Sequence, residues 1–338
     1  MPEEAKTKPR EWEEAEKLIP HRQFFPRSGH LQTLAGHFLP RRIELPAGQK
    51  RLFHVEQNVQ VLCYCHFQPQ KSNALTVLMV HGLEGSSESQ YVLGTAAKAW
   101  SAGMNAVRMN IRNCGGSEAL GPTLYHSGLS ADLGAVVRTL ISEDRLPRIA
   151  LVGFSMGGNQ VLKLAGEWGS EGAPPELRAV AVVSPAIDLA ASANALHSWQ
   201  NRGYEWNFLW GLKRRLRLKA GLFPGRFDLQ RLRGLHSLRD FDDKITAHYC
   251  GFADADDYYF RASAARVLQK IAAPTLVIQA KDDPFIRLLP ETRKMLLENP
   301  NIRLLETQHG GHCGFLAAAN GYDGRWAERQ VVGFLQGF

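Results

Sequence analysis

Residues 148–163, RIALVGFSMGGNQVLK, decide the fold of this 338-residue chain. They begin as an apolar run typical of a buried strand, pass through a serine flanked by glycines, and end in a helical pattern. In such a turn the serine backbone is strained, and Gly153 and Gly157 lack the Cβ atoms that would collide where strand and helix approach each other. Ser155 Oγ is therefore expected to project from the carboxyl end of the strand. The N–H of Met156, at the start of the helix, would stabilise an oxyanion that develops at the same point.

Strand-like runs alternate with helical patterns on both sides of this turn. Besides the strand before Ser155, strands are predicted over residues 52–57, 59–67, 75–80, 105–111, 179–183, 275–280 and 303–306. Helices are predicted over residues 91–102, 127–141, 263–271, 289–297 and 325–336. The first two strands form a predicted β-hairpin with its turn at Asn58. The alternation predicts the α/β class: a mostly parallel, doubly wound sheet with helices on both faces and functional residues at the carboxyl ends of the strands.

The alternation breaks after residue 185. Residues 186–260 are rich in Trp, Leu and Arg and contain no clear strand, which predicts a mainly helical cap over the strand ends. The expected organisation has four parts. They are an N-terminal arm packed on the core (1–45), the first part of the core (46–185), the cap (186–260) and the second part of the core (261–338).

Composition favours an ordinary soluble globular protein, with 44% hydrophobic and 22% charged residues. The first seventeen residues are highly charged and lack the apolar region of a signal peptide. No apolar run approaches the roughly 18 residues needed to cross a bilayer. The five cysteines are an odd number without a C-x-x-C pair, which predicts a reduced cytoplasmic protein and no metal site. We therefore expect a cytoplasmic protein that is soluble or at most peripheral to a membrane.

The formal charge of +7 is concentrated in residues 211–239, which hold nine Lys or Arg against one Asp. Apolar residues interleave with these charges, namely Leu212, Leu216, Leu218, Leu222 and Phe223. The favoured interpretation is a solvated cap face, in which the Lys and Arg stems cover apolar surface. The alternative is peripheral contact with an anionic membrane. Nucleic-acid binding is disfavoured because no recognised motif accompanies the charge.

The loop after the strand at 75–80 reads HGLEGSS over residues 81–87. A glycine-rich turn after an early strand can aim a backbone N–H at the point that the Met156 N–H faces. Leu83 is the expected donor. Leu83 and Met156 are thus the predicted oxyanion hole.

The polar groups that could activate Ser155 follow later in the chain. A serine hydroxyl needs an imidazole to take its proton, and the imidazole needs a carboxylate to fix its tautomer. Each has two candidates on a loop that follows a predicted strand: Asp282 or Asp283, and His309 or His312. Asp283 is preferred because Pro284 then turns the chain, and His312 because the glycines around it suit a loop that reaches the serine. The predicted triad is Ser155, Asp283 and His312.

Short motifs extend over nearly the whole chain from residue 20 onward. They are GHLQT at 29–33, HGLEG at 81–85, GFSMGGN at 153–159, RDFDD at 239–243, GF at 251–252, DYY at 257–259, DDP at 282–284 and GGHCGF at 310–315. In these the chain resembles the YheT-type branch of the α/β hydrolases, AB-hydrolase family four, with its plant EMB-type and animal lipid-hydrolysing members. The resemblance implies the α/β-hydrolase fold and the same triad.

The resemblance also implies a serine hydrolase that cleaves carboxylic esters without a cofactor or metal. Its expected substrates are small-molecule esters or lipids: short-chain esters, acylglycerols or phospholipid acyl chains. Two other functions are compatible with these residues. One is acyl transfer to an alcohol or amine with the same triad, and the other is a non-catalytic protein that binds lipid or a membrane surface.

Overall fold

The computed structural model describes residues 26–319 and 321–338, which fold around one eight-stranded sheet. The strands are β1 (Gln49–Glu56), β2 (Val59–His66), β3 (Thr76–Val80), β4 (Asn105–Met109), β5 (Ile149–Phe154), β6 (Leu177–Val183), β7 (Thr275–Ala280) and β8 (Ile302–Thr307). Their order across the sheet is β1-β2-β4-β3-β5-β6-β7-β8. β2 is antiparallel to both of its neighbours, and the pairs from β4 to β8 are parallel. The carboxyl ends of six strands therefore meet at one edge.

Helices cover both faces of the sheet. They are α1 (Gly29–Phe38), α2 (Gln90–Ser101), α3 (Ser130–Ser142), α4 (Met156–Glu171), α5 (Leu189–Leu196), α6 (Arg202–Leu222), α7 (Leu238–Phe241), α8 (His248–Cys250), α9 (Ala255–Ala262), α10 (Pro290–Glu298) and α11 (Trp326–Leu335). α3 and α4 pack their apolar side chains into the core on one face, while α2 and α11 fill the core on the other. All residues of β3 and β5 are buried, as expected for parallel strands covered on both faces. The predicted doubly wound α/β sheet is confirmed.

The predicted strands are confirmed to within a few residues at their ends, and so is the hairpin. Asn58 turns it with a φ of 61°. The helix predicted over residues 263–271 is wrong, because the chain there forms two 3₁₀ turns, Ala264–Arg266 and Leu268–Lys270. Buried amide side chains hold the two turns in place: Asn159 Oδ1 accepts from Ala264 N, and Asn299 Nδ2 donates to the carbonyl oxygen of Leu268.

Residues 186–260 carry α5 to α8, most of α9 and a π-helical turn, Asp242–Ala247, and hold no strand. The predicted helical character of this stretch is thus observed, while the four-part division of the chain stays a prediction. Of the predicted arm at 1–45, residues 1–25 lie outside the described residues. The rest contains α1, a helix that the sequence pattern did not predict. In the parts of the chain described, no helix is long and apolar enough to cross a membrane.

We predict that Gly157→Ala destabilises the fold by about 1–3 kcal/mol, the usual cost of overpacking. A Cβ at this position would lie 2.4 Å from the carbonyl oxygen of His81 and 2.6 Å from that of Val80, and backbone cannot move aside as a side chain can. Urea unfolding followed by circular dichroism measures the change. The matched control is Gly203→Ala in α6, where a Cβ meets nothing within 4 Å. There the higher helix propensity of Ala should leave stability equal or raised by up to about 1 kcal/mol. Equal stability of the two variants would contradict the prediction.

Candidate active site

Ser155 occupies a strained turn between β5 and α4. Its backbone has φ 53° and ψ −118°, a conformation that a residue with a side chain rarely adopts. The turn is held at both ends, because Ser155 N donates to the carbonyl oxygen of Val183 and Ser155 O accepts from Ala186 N. Ser155 lines a pocket, and its Oγ has no hydrogen-bond partner among residues 26–319 and 321–338. The hydroxyl is thus presented to the pocket rather than used in folding.

The structure pairs His312 with Asp283. His312 Nδ1 lies 2.9 Å from Asp283 Oδ2, and the two side chains are 12% and 0% exposed. The other carboxylate oxygen accepts from the backbone N–H groups of Phe285 and Ile286 at 3.1 and 2.9 Å. The Phe285 ring packs on the imidazole with ring centroids 4.2 Å apart and also lines the pocket that Ser155 lines. The carboxylate is therefore fixed on both oxygens, and it in turn fixes the imidazole.

The competing residues form a second pair nearer the surface. His309 Nδ1 lies 3.1 Å from Asp282 Oδ2, with His309 37% exposed. Asp282 Oδ1 accepts from Gly311 N at 2.9 Å. This second pair braces the loop that carries His312.

The turn at Ser155, which we call the elbow, meets the loop that carries His312 at the carboxyl end of β6. Cys313 N donates to Ser184 Oγ at 3.2 Å, and Cys313 Sγ lies 3.8 Å from the carbonyl oxygen of Val183, the same oxygen that accepts from Ser155 N. No hydrogen bond joins His312 Nε2 to Ser155 Oγ in the described structure. The structure thus brings the loop and the elbow to one strand end, but His312 and Ser155 are not hydrogen-bonded there.

Helix α1 holds the other side of the same loop. Thr33 Oγ1 accepts from His312 N at 2.8 Å. The buried Gln32 side chain donates to the carbonyl oxygen of Leu316 and accepts from its N–H, at 3.0 and 2.7 Å. These are positioning contacts that spacing along the sequence did not reveal. The only signal for them was the GHLQT motif at 29–33.

The loop after β3 places Leu83 beside the elbow. The buried His81 anchors it, since its Nδ1–H donates to the carbonyl oxygen of Gly82 while its Nε2 accepts from Ile111 N. Burial lowers the pKa of His81 to about 4, so this imidazole is neutral and structural at ordinary pH. Within the described chain the N–H groups of Leu83 and Met156 have no hydrogen-bond acceptor, and both residues line the pocket. Two unused donors beside Ser155 are what an oxyanion hole needs.

Glu84, next to Leu83, is tied to α6 by an ion pair that the sequence did not predict. Arg215 of α6 donates from Nε and from its terminal nitrogen to the two Glu84 oxygens at 2.9 and 3.2 Å. Tyr125 Oη donates to Glu84 Oε1 at 2.7 Å. Arg215 also bonds to Glu118 and to the carbonyl oxygen of Asn113, so it joins α6 both to the loop after β3 and to the connection between β4 and α3.

A pocket of about 1000 Å³, counting its open mouth, lies between the strand ends and α5 to α7. Its wall is mainly apolar, with Leu196, Phe208, Leu212, Leu216, Phe241 and Ile286 among its members. Leu212 and Leu216 are thus buried side chains of the pocket. This corrects the interpretation that they belong to a membrane-facing surface of the basic segment.

The pKa of His312 is raised above its usual value. Burial of the imidazole by itself lowers the pKa, but Cys313 and the Asp283 carboxylate outweigh it. His312 therefore loses its proton at a higher pH than a free imidazole.

A family model described as the alpha/beta hydrolase fold matches residues 76–319. The chain belongs to the α/β-hydrolase family. It is 32% identical to YheT of Escherichia coli (strain K12) over 329 residues, 96% of this chain and 94% of that protein. It is also 32% identical to phospholipase ABHD3 of Mus musculus over 247 residues, 71% of this chain and 58% of that protein. The resemblance to the YheT-type branch is confirmed.

A solved structure shows the same α/β-hydrolase fold at low identity. The esterase Pf2001 of Pyrococcus furiosus aligns with a TM-score of 0.57 and 18% identity, over 88% of this chain and 95% of that one. The architecture is therefore shared, whereas the side chains of the site must be judged from this chain alone.

We predict that Asp283→Asn lowers the pKa of His312, because a neutral amide no longer stabilises the protonated imidazole. Asp282→Asn should leave the pKa of His312 unchanged, since its carboxylate contacts His309 instead. The measurement is an NMR titration of the histidine ring protons in both variants, with His312 assigned through His312→Gln. If Asp282→Asn lowers the pKa of His312 and Asp283→Asn does not, His312 is paired with Asp282 in solution, and the prediction is contradicted.

Proposed function

We propose that this protein hydrolyses carboxylic esters through a Ser155–His312–Asp283 triad and an acyl-enzyme intermediate. The observation that carries the proposal is the buried His312–Asp283 pair, on loops that reach the strand end where the strained Ser155 is held. A projecting serine near an imidazole oriented by a carboxylate is the arrangement that acyl transfer to water requires. The alternative pair is more exposed and supports the loop instead.

The broader class rests on the family and on its members' names. ABHD3 is named a phospholipase and Pf2001 an esterase. The chain is accordingly a carboxylic ester hydrolase. The finer statements, which concern the triad and the substrate, are our proposal.

In the proposed reaction Asp283 keeps the proton of neutral His312 on Nδ1, so that Nε2 is free to accept the Ser155 proton. Ser155 Oγ attacks the carbonyl carbon, and the protonated imidazole then gives its proton to the departing alcohol oxygen as the ester C–O bond breaks. A water molecule, deprotonated by His312, attacks the acyl-enzyme and releases the carboxylic acid and the serine. The missing Ser155–His312 hydrogen bond is compatible with this sequence, because such bonds often tighten only when substrate binds.

The N–H groups of Leu83 and Met156 would bind the oxyanion in both steps. Met156 N–H is one of the unpaired donors at the N-terminus of α4, where the helix dipole also favours negative charge. Each such donor contributes about 10²–10³-fold to the rate in well-studied cases. The apolar pocket beside them suits an acyl chain, so we propose small esters or lipids as substrates. No step of this reaction calls for a cofactor or a metal ion.

We predict that Ser155→Ala abolishes covalent labelling by a fluorophosphonate and lowers kcat for p-nitrophenyl esters by about 10⁴-fold or more. Mass spectrometry of the labelled peptide and a spectrophotometric assay measure the two effects. Ser101→Ala is the matched control, because Ser101 is exposed at the end of α2, outside the pocket, and the variant should keep both activities. A folded wild-type protein that is labelled elsewhere, or that turns over esters equally well without Ser155, would refute the proposed nucleophile.

Arg215 is proposed as a positioning residue for the loop after β3, which carries Leu83. Arg215→Ala removes the ion pair that holds Glu84 beside Leu83. We expect kcat for p-nitrophenyl acetate to fall roughly ten-fold, less than the fall of about 10²–10³-fold when an oxyanion-hole donor is removed outright. KM for this small ester should change little. Glu84→Gln should act in the same direction, and the double variant should lose less than the two single losses combined, because they break one contact.

The control for Arg215 is Arg217→Ala, an exposed arginine of the same helix. Its kcat should match the wild type. A loss in the Arg217 variant equal to that in the Arg215 variant, or strictly additive losses at positions 84 and 215, would contradict the positioning role.

A further inference from the structure

Helix α6 carries large aromatic side chains on the side that faces away from the protein. Trp206 and Trp210 are 69% and 53% exposed, and Trp199, in the turn before the helix, is 79% exposed. The exposed positions recur at helical spacing, which places them on one stripe. We call this stripe the outer face of α6. It comprises Trp199, Arg202, Trp206, Trp210, Arg214 and Arg217.

The outer face is basic and has no carboxylate. The single acidic residue of α6, Glu205, is buried, where it contacts His197 and accepts from Leu238 N. Arg202, Arg214 and Arg217 are exposed, and the Arg214 guanidinium lies 5.7 Å from the centre of the Trp210 ring. By contrast, Arg215 and Lys219 point inward to bond with the core. The net charge of the outer face is therefore positive.

The fold does not need these tryptophans. The inner side of α6 already packs against the rest of the protein through the buried side chains of Leu209, Leu212 and Leu216. A helix of a water-exposed surface normally turns polar residues outward. Exposed apolar groups in a cluster mark a surface that meets another apolar phase.

We propose that the outer face of α6 docks on the surface of an anionic lipid bilayer. Tryptophan is the side chain that concentrates at the membrane interface, where its ring lies at headgroup level. Arginines beside it would meet acidic headgroups. α6 has 21 residues and is roughly 31 Å long, so it would lie flat on the bilayer, with the tryptophans at its N-terminal end and Arg214 and Arg217 toward its C-terminal end.

The charge of the outer face favours lipid over a second copy of the chain. A symmetric dimer brings the same patch together from both subunits, which would set the arginines of one copy against those of the other. An anionic bilayer instead supplies the missing negative charge. The inference goes beyond the proposed function, because binding to lipid does not require turnover.

The test is co-sedimentation with vesicles of phosphatidylcholine, alone or with about one lipid in three replaced by phosphatidylglycerol. It uses the full chain and, in parallel, Ser155→Ala, so that loss of catalysis and loss of binding are separate results. The wild type should bind the anionic vesicles, and salt at about 0.5 M should weaken that binding. Arg214→Glu with Arg217→Glu should weaken it roughly thirty-fold or more. Trp206→Ser with Trp210→Ser should weaken it at every salt concentration.

A matched control carries the same kinds of change elsewhere. Lys294→Glu with Leu297→Ser replaces an exposed charge and an exposed apolar side chain on α10 and should bind vesicles as the wild type does. All variants should keep the wild-type Tm, because the replaced side chains are exposed. Absence of wild-type binding, or an equal loss in the α10 control, would overturn the proposal. So would a wild-type dimer in solution that becomes monomeric on Trp206→Ser with Trp210→Ser, since the outer face would then be covered by a second copy.

Discussion

The close approach of three backbone segments around Ser155 is the constraint on which the rest of the structure depends. β5 and α4 meet so tightly that a Cβ on Gly153 would lie 2.5 Å from the carbonyl oxygen of Gly157, and one on Gly157 would strike the end of β3. This contact puts the loop after β3 beside the start of α4. The neighbouring order β3-β5-β6 then brings a third strand end to the same place. Leu83 follows β3, and Ser155 and Met156 follow β5. Asp283 and His312 follow β7 and β8, the two strands beyond β6 in the sheet.

Helix α6 is joined to this arrangement by polar contacts as well as by packing. Arg215 and Lys219 of α6 reach into the core, where Lys219 donates to the carbonyl oxygen of Glu118 at 3.0 Å and burial lowers its pKa to about 8. The helix is therefore held in register over the pocket. A shift of α6 would disturb Glu84, and through it the loop that carries Leu83.

Much of this could be predicted from the sequence because the signals are local. Continuous apolar runs identified the strands, and the order Ser155, Asp283, His312 identified the residues of the candidate triad. The 3₁₀ turns at 264–270 were missed because they depend on Asn159 and Asn299, amides far away in the chain. The Glu84–Arg215 pair and the role of Gln32 were missed for the same reason. The Glu84–Arg215 pair and the Gln32 contacts form only when distant segments meet in the folded protein. The charge or periodicity of a single segment therefore does not indicate them.

The link between Gln32 and Leu316 joins segments 284 positions apart. α1 is synthesised long before Leu316, whose backbone groups bind the buried Gln32 amide. Until Leu316 is made, the Gln32 amide has only the nearby carbonyl oxygen of Pro26 as a partner. Burying its oxygen without a donor costs more than leaving it in water. α1 should therefore dock only after residue 316 has been made, although α1 itself is made earlier. A nascent chain that ends before residue 310 would lack both His312 and the Leu316 groups that bind Gln32. Hydrolytic competence would therefore arise only after residues 310–316 have been made.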